Sequence, residues 1–478
     1  MWNRCGDTEC GTGAVIQIFP DERRGSFIVL LLLLLTLVRG MLYVSLVPQW
    51  QHFDEPGHFE YARFVAFERR LPQSQADTNS AIRREILASM IERDFGGYLP
   101  AWSSSSLFDP KVPVSQFAAQ PLYYVLCAFL LCPIRHQDIV VQLHVLRTFS
   151  VLLNVGIVAL AYLTARTLFP GDLLLQLGVP LFIVFLPAYT DIMSAVNSDV
   201  LANFLSSLTV YLAVVIQRRG NYWPHLALLG GVLVLGLLTK KTMISGLLIP
   251  VLLLLFASKR RYGSRGVAIV TGAVVCLSFV TVGLAVANWN SMPGWMTRFV
   301  MKSPRAFWGS LLNWQRAWPV YQEEVQILAQ GFWGNFGWGA YSLQGWILAF
   351  PFLLSGLALV GVLRSLLWKP SARTLPLWQR QSLLLLLVVT FCVWLITFLR
   401  VHPLPPEGTW VYIPRARYAY VAIIPMACLF VWGVRQFLRG QRGHLLGLAI
   451  VFGYVMLDSV AFFGHMLPAF FRVADLSG

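Results

Sequence analysis

Long apolar runs constrain this chain more than any other feature of its sequence. Twelve of them approach the about 20 residues with which an α-helix crosses about 30 Å of hydrocarbon. They lie at 27–46, 117–134, 148–169, 172–192, 200–217, 224–239, 242–257, 266–288, 341–363, 383–402, 418–436 and 445–464. Charged residues make up 12% of the chain, about half of the fraction that is usual in soluble domains. The sequence therefore predicts an all-α polytopic membrane protein, and it excludes a soluble enzyme, a disordered chain and a secreted disulfide scaffold.

Basic residues indicate how these helices are oriented. The net charge of +15 comes largely from clusters in short segments between apolar runs, which is typical of cytoplasmic loops rather than of a nucleic-acid-binding surface. An even number of spans must separate the clusters at 23–24 and 218–219, but five runs lie between them. We expect the run at 117–134, which contains Pro121 and Pro133, to be re-entrant. The prediction is about eleven transmembrane helices, with the N-terminus inside and the C-terminus outside.

The same topology divides the chain into four parts. Residues 1–25 are expected to be a disordered cytoplasmic tail, and residues 26–288 the main transmembrane module with a large external loop at 48–115. Residues 289–340 form a second external loop that holds seven of the 17 tryptophans, and residues 341–478 supply the C-terminal transmembrane helices. The first external loop carries nine of the 22 acidic residues, and its spacing of apolar residues predicts short amphipathic helices.

The segment PQWQHFDEPGHFEYARF at 48–64 contains the most informative polar residues. It follows the first predicted span, so Asp54, Glu55 and His58 are expected at the outer membrane surface. Two adjacent carboxylates and an imidazole three residues further on supply a base, a second acid and a group that transfers protons or binds a metal, all within one helical turn. The alternative is a solvated charged turn in which Asp54 caps the helix that follows.

Three cations beside apolar runs are candidates for binding an anionic group. Arg147, Lys240 and Arg417 lie where an unpaired charge costs about 2.5–3.5 kcal/mol on insertion scales, so a functional or paired role is expected. The alternative is that their side chains extend to the membrane interface. Asn197 and Asp199 lie between two apolar runs, where they either contribute to a site or cap the next helix.

Six further motifs follow the acidic pair in order along the chain: QPLYY at 120–124, RTFSVLLN at 147–154, PAYTDIMSAVNSDVL at 187–201, LGLLTKKT at 235–242, FWGNFGW at 332–338 and PRARYAY at 414–420. Together with Asp54-Glu55 and His58, this ordered set resembles the motifs of the GT-C glycosyltransferases. These are integral membrane enzymes that take a sugar from a polyprenyl phosphate or pyrophosphate carrier, and they carry an acidic pair after their first helix. The last two motifs resemble a bacterial, largely uncharacterised branch of predicted membrane proteins within the superfamily.

The motifs cover about 50–420, with two departures from the family pattern. Leu122 replaces a proline of the family motif, and the family's glycine-arginine corresponds here to a segment with two arginines, Arg415 and Arg417. The tyrosine after Arg417 favours that residue as the equivalent.

The resemblance implies a GT-C-like fold and an enzyme that moves a sugar from a polyprenyl-phosphate-linked donor to an acceptor on the outer face of the plasma membrane. It implies Asp54 as the base, Glu55 as an orienting or metal-holding residue, and His58 as a supporting partner or metal ligand. The implied substrate-binding and phosphate-binding residues are Arg147, Asn197, Asp199, Lys240 and Arg417. A divalent metal ion is left open as a cofactor, and the acceptor is a cell-envelope glycan, a lipid or a protein.

An aromatic segment and two other function classes complete these expectations. Trp333, Phe336 and Trp338 either stack on the sugar and gate the acceptor or belong to an interfacial aromatic belt. A transporter or flippase of a lipid-linked glycan or small solute would use the same buried charges, and a noncatalytic scaffold would tolerate the loss of Asp54. The chain has no G-x-x-x-x-G-K-[ST] or G-x-G-x-x-G motif, which agrees with a donor carried on lipid.

Overall fold

The computed structural model describes residues 22–471 apart from 74–76, 78, 94, 96–115, 221–222, 288–311, 344, 368–374, 402, 405–412 and 439. Nearly all of the predicted tail at 1–25 therefore lies outside the described residues. The same is true of the end of the first external loop and of the first part of the tryptophan-rich loop.

The described chain is almost entirely helical, as the sequence predicted. Its first half contains α1 (Glu22–Leu46), α2 (Glu55–Glu68), α3 (Ser80–Glu92), α4 (Leu122–Leu131), α5 (Ile139–Leu168), α6 (Leu173–Val184), α7 (Pro187–Met193) and α8 (Ser198–Arg219). Its second half contains α9 (Trp223–Thr239), α10 (Leu248–Ala287), α11 (Trp314–Trp333), α12 (Gly345–Leu367), α13 (Leu377–Phe398), α14 (Ile423–Arg435), α15 (Gly440–Ser459) and α16 (Leu467–Phe470). Strands β1 (Asn335–Phe336) and β2 (Tyr341–Ser342) pair as an antiparallel hairpin, the one sheet in the described part of the chain.

Eight helical segments within the described residues are long and apolar enough to cross a membrane. They are Phe27–Leu46, Ile139–Leu168, Ser198–Arg219, Lys241–Lys259, Gly345–Leu366, Leu377–Phe398, Ala416–Arg435 and Leu445–Phe470. A ninth span results if α6 and α7, which meet at an angle of 65°, count as one broken span. The prediction of a polytopic, multi-pass membrane protein is therefore confirmed, whereas the number of eleven helices stays a prediction.

Three of the predicted apolar runs have a form that the sequence did not specify. The run at 117–134 forms α4 followed by a 3-10 turn at Cys132–Ile134. Those 13 residues extend roughly 20 Å, which is less than the thickness of the hydrocarbon core. The runs at 242–257 and 266–288 join into a 3-10 segment, Lys241–Leu247, and the long α10. That helix is broken at Gly263, whose φ of 61° favours glycine.

Two spans lie at the centre of the bundle. The share of buried residues in the apolar stretch is 83% for Ser198–Arg219 and 89% for Ala416–Arg435. In the other candidate spans among the described residues this share is at most 50%. Of the two central spans, the second begins with a 3-10 segment, Ala416–Ala422, that continues into α14. Asp199 and Arg417 stand in the first turns of these two spans, so the most enclosed helices both begin with a charged side chain.

Helices α12 and α14 approach each other closely because both carry a glycine at their contact. A Cβ atom added to Gly361 would lie 2.0 Å from the carbonyl oxygen of Gly433, and one added to Gly433 would lie 2.1 Å from the carbonyl oxygen of Ala358. Small residues of this kind allow the backbones of membrane helices to pack against each other. The central position of α14 therefore depends on this glycine pair.

Candidate active site

Asp54 lies at the turn between α1 and α2, and its backbone conformation determines where its carboxylate points. Its φ of 59° is in the left-handed region, which aspartate tolerates better than most residues, and its side chain makes no capping hydrogen bond to α2. The alternative in which Asp54 caps the following helix is therefore wrong. Its carboxylate instead forms an ion pair with Arg417.

Arg417 links two acidic residues that are far apart in the sequence. Its guanidinium contacts Asp54, and its Nε lies 3.9 Å from Oδ2 of Asp199. Burial by itself raises the pKa of Asp54, but the positive charge and hydrogen bond of Arg417, together with the charge of Lys240, outweigh it, so the pKa lies below its usual value. Asp54 is therefore a carboxylate at neutral pH.

Asp199 is held at the start of α8 together with Lys240. Nζ of Lys240 lies 2.8 Å from Oδ1 of Asp199, whose side chain is 1% exposed. The helix cap is Asn197, whose Oδ1 accepts a hydrogen bond from the amide of Asp199 at 2.9 Å and whose Nδ2 donates to the carbonyl of Phe53 at 3.2 Å. Because Asn197 caps the helix, the carboxylate of Asp199 is left to pair with cations.

Glu55 is adjacent to Asp54 but belongs to a different ion pair. Arg147 donates from Nε and Nη2 to the two carboxylate oxygens, at 2.9 and 2.6 Å, and both side chains are fully buried. The amides of Trp50 and Val196 also donate to this carboxylate. Burial by itself raises the pKa of Glu55, but Arg147 outweighs it and holds that pKa below its usual value.

The guanidinium of Arg147 has all five of its N–H groups engaged. Besides its two bonds to Glu55, it donates to the carbonyl oxygens of Val44, Val47 and Pro48 at 3.2, 2.8 and 3.0 Å. This residue on α5 therefore fastens the end of α1 and the loop that follows it. In this arrangement no N–H of Arg147 remains for a phosphate.

His58 faces the same region from the first turn of α2. Its Nδ1 lies 2.8 Å from the hydroxyl of Tyr124, and the two rings are nearly parallel. Burial, followed by the charge of Lys240, lowers the pKa of His58 to about 3 although Asp54 opposes this. The imidazole is therefore neutral at physiological pH.

The described residues do not fit the metal site that the sequence left open. Among them, no group of three or more His, Cys, Asp or Glu side chains is close enough to hold a metal ion. Asp54 and Asp199 are paired with cations instead, and His58 is hydrogen-bonded to Tyr124. We therefore derive no step through a metal.

The predicted aromatic segment separates into two environments. Trp333 and Phe336 are 4% and 1% exposed, and Trp333 packs against other aromatic rings of the core. Trp338 lies in the hairpin turn, and its Nε1 donates to the carbonyl of Trp50 at 2.9 Å. Its ring is also near Phe53, one residue before Asp54. Of the three, Trp338 is therefore the one that contacts the loop carrying Asp54.

A small cleft lies next to Arg417. Its volume is about 20 Å³, and it is lined by Phe53, Ala188, Ile192, Ile327, Gly331, Asn335, Arg415, Ala416, Arg417 and Tyr420. The lining is mostly apolar with a few polar groups, and a volume of this size holds about one water molecule.

Sequence reasoning missed several polar residues near this cleft. Tyr418 is contacted by three cations, with Arg400 at 4.2 Å, Arg417 at 5.5 Å and Lys240 at 5.8 Å from the ring centroid. The motif that contains Arg417 also contains Tyr418, but nothing near Arg400 in the sequence distinguishes it from a residue that flanks a span. His52 and Asp191 form another buried pair, in which Nδ1 of His52 lies 2.9 Å from Oδ1 of Asp191.

Glu324 on α11 is a buried acid that forms no ion pair with any residue that the structure describes. Its side chain is fully buried, and neither carboxylate oxygen has a hydrogen-bond partner in the described structure. Burial raises the pKa of Glu324 to about 8. The neutral acid is therefore its main form at pH 7.

Comparison with known proteins gives distant similarity in structure alone. No family model and no curated protein matches the chain. The crystal structure of an oligosaccharyltransferase from Archaeoglobus fulgidus, tethered with an acceptor peptide that contains the NVT sequon, aligns with 92% of this chain at 14% sequence identity and a TM-score of 0.48. The alignment covers 56% of that protein, so this chain spans just over half of its length.

Proposed function

We propose that this protein is a GT-C-type membrane glycosyltransferase that moves a sugar from a polyprenyl-phosphate-linked donor to an acceptor on the outer face of the plasma membrane. The observation that carries the proposal is the cluster of Asp54, Asp199, Lys240 and Arg417 at the ends of apolar helices. Such a cluster combines a carboxylate base with cations that stabilise a leaving phosphate.

Asp54 is the best candidate for the base because it is more accessible than the other two acids of this region, Asp199 and Glu55. Its side chain is 30% exposed, compared with 1% for Asp199 and 0% for Glu55. In the proposed reaction the acceptor hydroxyl attacks the anomeric carbon and passes its proton to Asp54. The bond between that carbon and the phosphate oxygen breaks, and its electron pair stays on the phosphate. A single displacement of this kind inverts the anomeric carbon.

The other charged residues are assigned according to their contacts. Arg417 and Lys240 would share their charge between the acids and the donor phosphate. We propose a structural role for Glu55 and Arg147, since each satisfies the other and the loop backbone. His58 would hold Tyr124 beside the site as a neutral imidazole. These assignments differ from the sequence-based expectation, in which Arg147 contacted the phosphate.

The test is mass spectrometry of the lipids that co-purify with the wild-type protein and with Asp54→Asn. Asp77→Asn is the matched control, because Asp77 lies on the same external segment but pairs with the exposed Arg70. We expect a polyprenyl-phosphate sugar to be enriched on Asp54→Asn, with no transfer activity and an unchanged unfolding temperature. Normal product from Asp54→Asn would contradict the assignment of the base.

A transporter or flippase is the second candidate, and one observation favours it. The break between α6 and α7 resembles the broken helices on which transporters build their sites, and the buried Asp191 lies in α7 opposite His52. The lipid measurement separates the two candidates. If neither sample contains a carrier lipid, the transferase proposal loses its support and transport assays become the next experiment.

A further inference from the structure

Arg400 belongs to the cation cluster around Tyr418 although it lies outside every motif of the sequence. It follows α13 by two residues, and its side chain is half-buried. Its guanidinium carbon lies 4.2 Å from the centre of the Tyr418 ring, a distance at which a cation is attracted to an aromatic face. Arg417 lies 5.5 Å from the same ring, so the two guanidinium carbons are less than about 10 Å apart.

Arg400 differs from its neighbours in its pairing with the carboxylates that the structure describes. Arg417 is paired with Asp54, and Lys240 is paired with Asp199. Among the described residues, the ion pairs of this cluster join Asp54 and Asp199 to Arg417 and Lys240, and none of them includes Arg400. An anion-binding site needs positive charge that the protein has not already neutralised, and at this cluster Arg400 provides it.

We propose that Arg400 binds the phosphate of the lipid-linked donor and that Tyr418 positions it by stacking on the guanidinium. This inference rests on the proposed glycosyl transfer and adds a binding residue to it. Stacking holds the flat face of a guanidinium while its N–H edge stays available to make two parallel hydrogen bonds to phosphate oxygens. Arg417 and Lys240 then share their charge between the two acids and the phosphate, while Arg400 makes the direct contact with the phosphate oxygens.

The experiment measures binding of farnesyl phosphate, a short prenyl monophosphate, to the full-length protein in nanodiscs of zwitterionic lipid. Arg400→Gln is expected to weaken binding by roughly 10- to 100-fold, the range for a hydrogen bond to a charged group. Arg400→Lys keeps the charge but lacks the planar guanidinium that makes two parallel hydrogen bonds. The affinity of this variant for farnesyl phosphate should therefore lie between that of the wild type and that of Arg400→Gln. Arg380→Gln is the matched control, because Arg380 is exposed at the other end of α13.

Two further measurements separate binding from folding. Farnesol, which lacks the phosphate, should bind to the wild type and to Arg400→Gln equally, and their unfolding temperatures should agree. Tyr418→Phe should bind farnesyl phosphate like the wild type because it keeps the aromatic ring, whereas Tyr418→Leu should lose affinity as Arg400→Gln does. Unchanged binding of farnesyl phosphate to Arg400→Gln would overturn the proposal.

The source of the phosphate is tested with short-chain phosphatidylglycerol. If Arg400→Gln weakens binding of this phospholipid as much as binding of farnesyl phosphate, the residue recognises a membrane headgroup and the assignment to the donor is wrong. The outcome is also separable from the proposed function. If Asp54→Asn accumulates no carrier lipid while Arg400→Gln still loses farnesyl phosphate, the transferase proposal fails and the phosphate site stands.

Discussion

Replacing Glu324 by glutamine removes a titrating group whose surroundings favour the neutral acid. The carboxyl group has an ordinary pKa of 4.5 in the unfolded chain, and burial raises its pKa to about 8 in the folded protein. Between these two values the unfolded chain has released the proton and the folded protein still holds it. The free energy of unfolding therefore falls by about 1.4 kcal/mol for each pH unit in this window. Glutamine is uncharged in both states and has no such dependence.

The expected gain from Glu324→Gln is small at pH 5 and grows to at most about 3 kcal/mol at pH 7, since any water that reaches the carboxyl reduces it. The assay is thermal unfolding of the purified protein, followed by tryptophan fluorescence, at pH 5, 6, 7 and 8. Glu323→Gln is the control, because Glu323 is next to Glu324 on α11 and its side chain is exposed. A difference between Glu324→Gln and the wild type that is equal at pH 5 and pH 8 would refute the reasoning.

Two further predictions concern packing and ion pairing. Gly361→Ala is expected to destabilise the protein by about 1–3 kcal/mol because its new methyl group would overlap the backbone of Gly433. Gly356→Ala on the same helix meets nothing within 4 Å, and equal unfolding temperatures for the two variants would exclude the close contact. Arg147→Met is expected to cost about 3–5 kcal/mol because it leaves the charge of Glu55 buried without its cation. Adding Glu55→Gln should recover part of this loss in a double-mutant cycle, whereas strictly additive losses would argue against the pair.

The helices of this protein could be predicted because a single physical effect determines them. A run of about 20 apolar residues has no stable alternative to a helix in lipid, and the structure places a helix at each predicted run. The lengths of individual helices were less predictable. The proline-bounded α4 and the joined α10 show that apolar composition marks a segment without fixing where its helix breaks.

The pairing of the charged residues could not be read from the sequence. Asp54 and Glu55 are neighbours, yet the left-handed backbone of Asp54 directs the two carboxylates to different cations. Sequence spacing alone treats them as one acidic pair. Arg147 illustrates the same limit, because its position beside an apolar run indicates a buried role but not whether the partner is a phosphate or Glu55.

The aromatic residues divide for a similar reason. Trp333 and Trp338 belong to one motif, but the hairpin turn between β1 and β2 carries only Trp338 to the loop beside Asp54. Trp338 itself has a φ of 60°, a conformation that is uncommon for a bulky residue and is fixed here by the turn. Which aromatic ring faces a substrate thus depends on a local turn that hydropathy does not record.

The two adjacent acids have a consequence for how the protein is made. Glu55 meets a partner that lies 92 positions later in the chain, whereas the partner of Asp54 lies 363 positions later. At synthesis rates of about 5–20 residues per second, the first pair can close after roughly 5–20 s and the second only after roughly 20–70 s. The scaffold of the site is therefore in place well before its reactive charges meet. A ribosome-stalled intermediate that ends before Arg417 should already protect the loop after α1 from protease while Asp54 still lacks its ion-pair partner.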